Sequence, residues 1–287
     1  MLHQSFLGGR SFSYRGVLNL PTGSSPYNPI IVALHGGTYT SEYFDVLGHS
    51  LLNRAEMLGI PAVAIDRPGY GQTSVMRDED VTQEGNAAIL NEALGELWQR
   101  ERNTRPGIIL LGHSIGGAIA LRIAALRPKW PLLGICVSGV GLTIAPGVAA
   151  ASQGLPPISY VDMPSSIKEL QMFGSAGTYD SSAMQASHAA DCPAPRQELI
   201  EITTVWPHQA AEILAQIAVP IHYRQGDQDK LWSVDEDEIK SIAAACTSAP
   251  RVDAKLARNA GHCIDFHRIG ASFQLEQIAF ALACALN

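Results

Sequence analysis

The chain has 287 residues, 46% of them hydrophobic, and a formal net charge of -7. That is ample apolar material for one large α/β domain, or for one domain carrying an insertion, and the acidic balance without any Lys/Arg cluster argues against nucleic acid or an anionic membrane as partner. No stretch approaches the roughly 18 apolar residues that a bilayer-spanning helix needs, so no membrane insertion is expected. The opening residues MLHQSFLGGR lack a basic segment followed by an apolar one, so no secretory signal is expected. Five scattered cysteines without CxxC or Cys/His spacing point to a reduced, cytoplasmic protein with no structural metal.

In chain order, Ser11 to Leu20 alternates, with Phe12, Tyr14, Leu18 and Leu20 on one face, as an antiparallel edge strand would. Pro21 to Asn28 is a polar turn. Ile30 to Leu34 reads as a buried strand ending in His35-Gly36-Gly37-Thr38, and Ser41 to Leu58 as an amphipathic helix with Phe44, Leu47, Leu51, Leu52 and Met57 inward. Pro61 to Ile65 is a short buried strand, and Asn86 to Arg102 is helical. Further on come strands at Leu132 to Val137, Val219 to Tyr223 and Arg251 to Leu256, with helices at Glu236 to Ala245 and Gln274 to Leu286. Alternating strands and helices of these lengths predict a parallel sheet covered on both faces. The stretch 142–216 breaks the rhythm and is too long for a bare loop. It reads as a mostly helical cap, clearest at Glu198 to Thr203 and His208 to Ile217, inserted into a core made of residues 1–141 and 217–287.

The chemistry centres on Gly107 to Ala118, GIILLGHSIGGA, where an apolar strand runs into a helix that extends to about Leu126. Gly112-His113-Ser114-Ile115-Gly116 fits G-x-S-x-G, the sharp turn that exposes a serine hydroxyl over the start of a helix. A serine needs a base to become nucleophilic, and the base needs an orienting acid. Among the late histidines, His262 follows a flexible turn beyond the last strand and is the expected base; His222 lies inside a strand and His267 is expected to cap or pack. For the acid, Asp229 is preferred over Asp227 in Gly226-Asp227-Gln228-Asp229, while Asp235 and Asp237 suit the first turn of a helix. The oxyanion of an acyl-transfer intermediate calls for two donors: the Ile115 amide and, from the glycine-rich loop, Gly37, with Thr38 as second choice. His113 is read as structural.

The pieces HGG at 35–37, DRPGYG at 66–71, GHSIGG at 112–117, GDQD at 226–229 and GH at 261–262 resemble an α/β-hydrolase fold enzyme over nearly the whole chain. The resemblance implies an eight-stranded, mostly parallel sheet with a cap after the sixth strand, and a Ser114–His262–Asp229 triad. A serine at 114 sets the chain apart from the branches with an aspartate nucleophile. The expected activity is hydrolysis of a small to medium apolar carboxylic ester in a pocket drawing on Thr38, Met172, Phe173, Trp206 and Trp232, with no metal or organic cofactor. Lactone opening, thioester or C–C hydrolysis and acyl transfer use the same constellation, and a small-molecule receptor on this fold is the non-enzymatic alternative.

Overall fold

The computed structural model describes residues 2–286 except 8, 19–24, 74 and 76. The first elements are β1 (Leu2–Leu7), β2 (Arg10–Val17), β3 (Ile30–Leu34), α1 (Leu51–Met57), β4 (Ala62–Ile65), α2 (Gln83–Glu101), β5 (Ile108–His113), α3 (Ile115–Ala125) and β6 (Leu132–Ser138). Then follow α4 (Val148–Gln153), β7 (Tyr160–Val161), α5 (Ser165–Met172), α6 (Ser181–Ser187), β8 (Ala194–Pro195), α7 (Arg196–Thr204) and α8 (Trp206–Gln216). The chain closes with β9 (Ile221–Gly226), α9 (Glu236–Ala245), β10 (Val252–Ala257) and α10 (Gly270–Ala285).

Among the described residues the main sheet has eight strands in the order β1-β2-β4-β3-β5-β6-β9-β10. β2 pairs antiparallel with both β1 and β4, and every other pairing is parallel. The central strands are continuously apolar because both faces are covered. Ile30, Val32 and Leu34 join a cluster with residues of α2, α3, α8 and α9, whereas Ile31 and Ala33 join one with residues of α1 and α10. Side-chain alternation thus gives each helical layer its own half of the central strands.

Three expectations need correction. β2 is antiparallel but not at the edge, because β1, which the opening residues do not announce, pairs along it; Asn19, Leu20 and the first half of the following turn, 21–24, lie outside the described residues. The single helix over 41–58 is instead a 3₁₀ turn at Ser41–Asp45 and a separate α1. Gly48 takes a φ of 81°, which interrupts the helix, and Ser50 caps the new one by accepting from the Asn53 amide. The break rotates Leu47 and Met57 outward, leaving them 88% and 87% exposed. Finally, α8 buries Trp206, Ala210 and Leu214 in the cluster that contains α3, so this end of the inserted segment belongs to the layer on the sheet face.

Candidate active site

One residue, Ser114, separates β5 from α3, and it adopts φ 53°, ψ -123°. A non-glycine residue in that region costs on the order of 1–3 kcal/mol and persists only where its surroundings impose it. The glycines on either side make the turn possible. A Cβ on Gly112 would stand 2.5 Å from the Gly116 carbonyl oxygen, and one on Gly116 would stand 2.1 Å from that of Leu34. Helix α3 therefore starts directly against the strand ends, with Ser114 at the tip of the turn.

The loops after β9 and β10 touch. A Cβ on Gly226 would meet the Gly261 carbonyl oxygen at 2.1 Å, and this close passage brings Asp229 to His262. Nδ1 of His262 lies 2.7 Å from Oδ2 of Asp229. A carboxylate only accepts, so Nδ1 is the donor in this contact and Nε2 is the ring nitrogen turned away from Asp229. The Gln225 amide also donates to Oδ2, and the Leu231 backbone N–H donates to Oδ1 at 2.8 Å. Asp227 instead accepts from the Ala260 amide at 3.3 Å and so braces the turn before His262. His267 Nε2 accepts from the Gly261 and Gly174 amides at 2.9 and 3.0 Å, and its Nδ1 lies 2.8 Å from the Cys263 carbonyl oxygen. His222 lies in β9, away from Ser114, beside Phe273 and Phe280.

The His35–Thr38 loop lies against the serine, since a Cβ on Gly36 would reach 3.0 Å from Ser114 Cβ and one on Gly37 would reach 2.8 Å from Ile115 Cδ1. Arg67 organises this loop from behind. Its Nε donates to the His35 carbonyl at 2.8 Å and its Nη2 to the Gly36 carbonyl at 3.3 Å. In a planar trans peptide the N–H points opposite to the C=O, so the Gly37 amide faces away from Arg67. Among the described residues the Gly37 and Ile115 amides have no backbone acceptor, and Ile115, as the first helical residue, has no intrahelical one to find.

His113 is buried between Tyr43, which it stacks on at 4.6 Å and 8°, and the His262 ring, whose centroid is 4.8 Å away. Burial first, and then His262 and His35, hold its pKa well below the ordinary histidine value. A neutral flat ring with a polar edge toward Ser138 Oγ at 3.3 Å suits that slot.

Ser114 and His262 line one cavity of about 300 Å³ together with Gly37, Thr38, Tyr39 and Ile115. The inserted segment supplies much of the rest, including Val148, Ala151, Met163, Met172, Leu199 and Ile202, and Trp232 completes it. Of the five expected pocket residues, Thr38, Met172 and Trp232 line the cavity. Phe173 does not: it packs against Tyr179, Phe266 and His267. Nor does Trp206, whose indole N–H donates to the Gly141 carbonyl at 2.8 Å within the core.

Three charged side chains around the site carry no local sequence signal. Arg67 and Glu198 form an ion pair with neither side chain exposed, joined by Tyr70 O–H to Glu198 and by Asn86 to Arg67. Lys168, from α5, lines the cavity, donates to the Thr38 carbonyl at 2.8 Å, pairs with Asp191 and lies 3.8 Å above the Tyr39 ring. Burial lowers the Lys168 pKa and Asp191 opposes that shift. A lysine on a helix ordinarily signals a solvated face, so spacing alone gives no hint of either role.

The profile of the alpha/beta hydrolase family matches residues 31–270, and the chain belongs to that family of hydrolases. It is 31% identical over 117 residues to protein phosphatase methylesterase 1 of Mus musculus, covering 41% of this chain and 29% of the relative. It is 32% identical over 103 residues to an esterase of Mycobacterium tuberculosis, covering 35% of this chain and 29% of that protein. The matches thus span less than a third of these curated relatives. The crystal structure of the N-acyl homoserine lactonase AidH superposes with a TM-score of 0.68 at 16% identity, covering 99% of this chain and 97% of that one. At that identity the likeness establishes the fold. Among the described residues no helix is long and apolar enough to cross a membrane.

Proposed function

We propose that the protein is a serine hydrolase that cleaves a small to medium apolar carboxylic ester. The observation that carries this reading is the 2.7 Å contact of Asp229 with Nδ1 of His262, which lines the same cavity as Ser114 on its strained turn. The serine hydroxyl attacks the ester carbonyl while His262 Nε2 takes its proton. Asp229 holds the imidazole in the reactive tautomer and stabilises its cation. The Gly37 and Ile115 amides receive the developing oxyanion. His262 then gives the proton to the leaving alcohol. In the second half it activates a water that releases the acid and regenerates Ser114.

Residues 142–205 of the inserted segment act in this reading as a cap, with α4, α5 and α7 side chains forming the apolar wall around the ester. That the curated relatives are named as esterases supports an ester over a lactone or a C–C bond. The test is covalent labelling with a fluorophosphonate, followed by peptide mass spectrometry. The expected adduct is on Ser114 and disappears in Ser114→Ala. An unlabelled chain, or an adduct on another residue, overturns the reading.

A further inference from the structure

His188 has a carboxylate on each ring nitrogen. Its Nε2 lies 2.9 Å from Glu169 and its Nδ1 lies 3.1 Å from Asp191. Carboxylates only accept, and a neutral imidazole carries one N–H, so both contacts exist together only when the ring is a cation. The charged groups around it are Glu169 from α5 and Asp191, just after the 3₁₀ turn His188–Ala190. Lys168, also from α5, sits on the other oxygen of Asp191.

These contacts join two pieces of the cavity wall. α5 contributes Lys168, Gln171 and Met172 to the cavity, and its Met172 carbonyl accepts from the Cys263 amide at 3.0 Å, next to His262. The strip 188–192 runs along the loop that carries Gly37. There Cys192 N–H donates to the Thr38 carbonyl at 3.0 Å and Thr40 N–H donates to the Ala190 carbonyl at 2.9 Å. Two side-chain links tie α5 to this strip, Lys168 to Asp191 and Glu169 to His188. The second contains a histidine, whose charge changes near neutral pH.

We propose that the His188 imidazolium is a positioning residue for the reaction: while charged it clasps α5 to the 188–192 strip and keeps the substrate cavity in its working shape, and its loss of a proton lowers activity on the alkaline side. The proposal rests on the serine hydrolase reading above. The neutral ring keeps one N–H for one carboxylate and turns a lone pair toward the other, so one contact of the clasp opens. Glu169 is part-exposed and can turn into water, and α5 then loses that tie. Burial lowers the His188 pKa, but Glu169 and Asp191 together outweigh it and raise the pKa above the ordinary histidine value. The opening therefore falls above about pH 6.5. Because α5 shapes the cavity and carries no group of the triad, the effect falls on KM more than on kcat. Burial lowers the Lys168 pKa, so Lys168 is the rival source of an alkaline limb.

The experiment follows p-nitrophenyl butanoate hydrolysis and melting temperature from about pH 5.5 to 9 for the full chain, His188→Gln and Glu169→Gln. Wild-type kcat/KM is expected to fall about three- to fivefold on the alkaline side, the scale of a part-exposed ion pair. In His188→Gln the fall is absent, because glutamine does not titrate. In Glu169→Gln its midpoint moves to lower pH, because the cation has lost one of its two carboxylates. Relative to His188→Gln, the wild-type melting temperature drops over the same interval. A raised folded pKa stabilises fully below the unfolded value, and that gain is lost as pH rises through the folded one. A wild-type profile that is flat on the alkaline side overturns the proposal. So does a fall that persists in His188→Gln at the same midpoint, which assigns it to Lys168, or one that Glu169→Gln leaves in place. If His188→Gln does not fold, the Glu169→Gln midpoint decides alone. Wild type inert toward the ester and toward a fluorophosphonate at every pH removes the hydrolase reading and the positioning role with it. A pH-dependent melting difference would then still show the clasp.

Discussion

The Asp229 carboxylate stands 2.7 Å from His262 Nδ1, with both side chains buried. Their residues belong to loops from different strands, and the contact exists because Gly226 lets those loops touch. Two residues earlier, Asp227 faces the Ala260 amide and stays outside this contact. Asp229→Asn should lower kcat by about 10⁴, because the amide favours the wrong imidazole tautomer. Asp227→Asn should stay within a few-fold of wild type. Ester hydrolysis at saturating substrate reads both, and the reverse pattern would assign the acid to Asp227.

Arg67 and Glu198 define a second relationship, between the loop that carries Gly37 and helix α7. Both are fully buried, and Arg67 also holds the His35 and Gly36 carbonyls. Replacing one member of a buried pair leaves the other charge uncompensated, at a cost of about 3–5 kcal/mol. Glu198→Ala should therefore lower the unfolding free energy in urea by that amount and reduce activity as the loop loosens. A loss below about 1 kcal/mol would mean that solvent or a neighbour compensates Arg67.

His222 gives the stability a pH dependence. Its pKa is lowered to about 4, first by burial and then by Arg224, against the opposing pull of Asp253 and Glu276. The ordinary value in an unfolded chain is about 6.5. Between those limits the unfolded chain binds a proton that the folded chain does not, so this contribution is fully present above about pH 6.5 and is lost as pH falls toward 4. Urea unfolding of wild type should lose on the order of 2 kcal/mol more than His222→Leu between pH 7.5 and 4.5. Equal losses would show that His222 does not titrate in this window.

The two-sided burial of the sheet made its central strands legible, since Ile30–Leu34 and Ile108–Leu111 are apolar at every position. The turn at Ser114 was legible for the opposite reason, because only glycine fits at 112 and 116. β1 escaped notice because an outer strand carries a mixed pattern, LHQSFL. The 41–58 segment misled because its apolar residues keep helical spacing across Gly48, whose left-handed backbone breaks the helix. Phe173 and Trp206 show that a large apolar residue in an inserted segment packs against the core as readily as it lines a pocket. The ion pairs of Lys168 with Asp191 and of Arg67 with Glu198 join residues more than twenty positions apart, and local spacing holds no trace of such pairs.

The most direct test of the account is hydrolysis of p-nitrophenyl esters from acetyl to decanoyl by wild type and Ser114→Ala. The account predicts wild-type activity with a chain-length optimum set by the cavity of about 300 Å³, and a loss of about 10⁴ or more in the variant. An ester-active Ser114→Ala chain, or a correctly folded wild type inert toward the whole series, would contradict it.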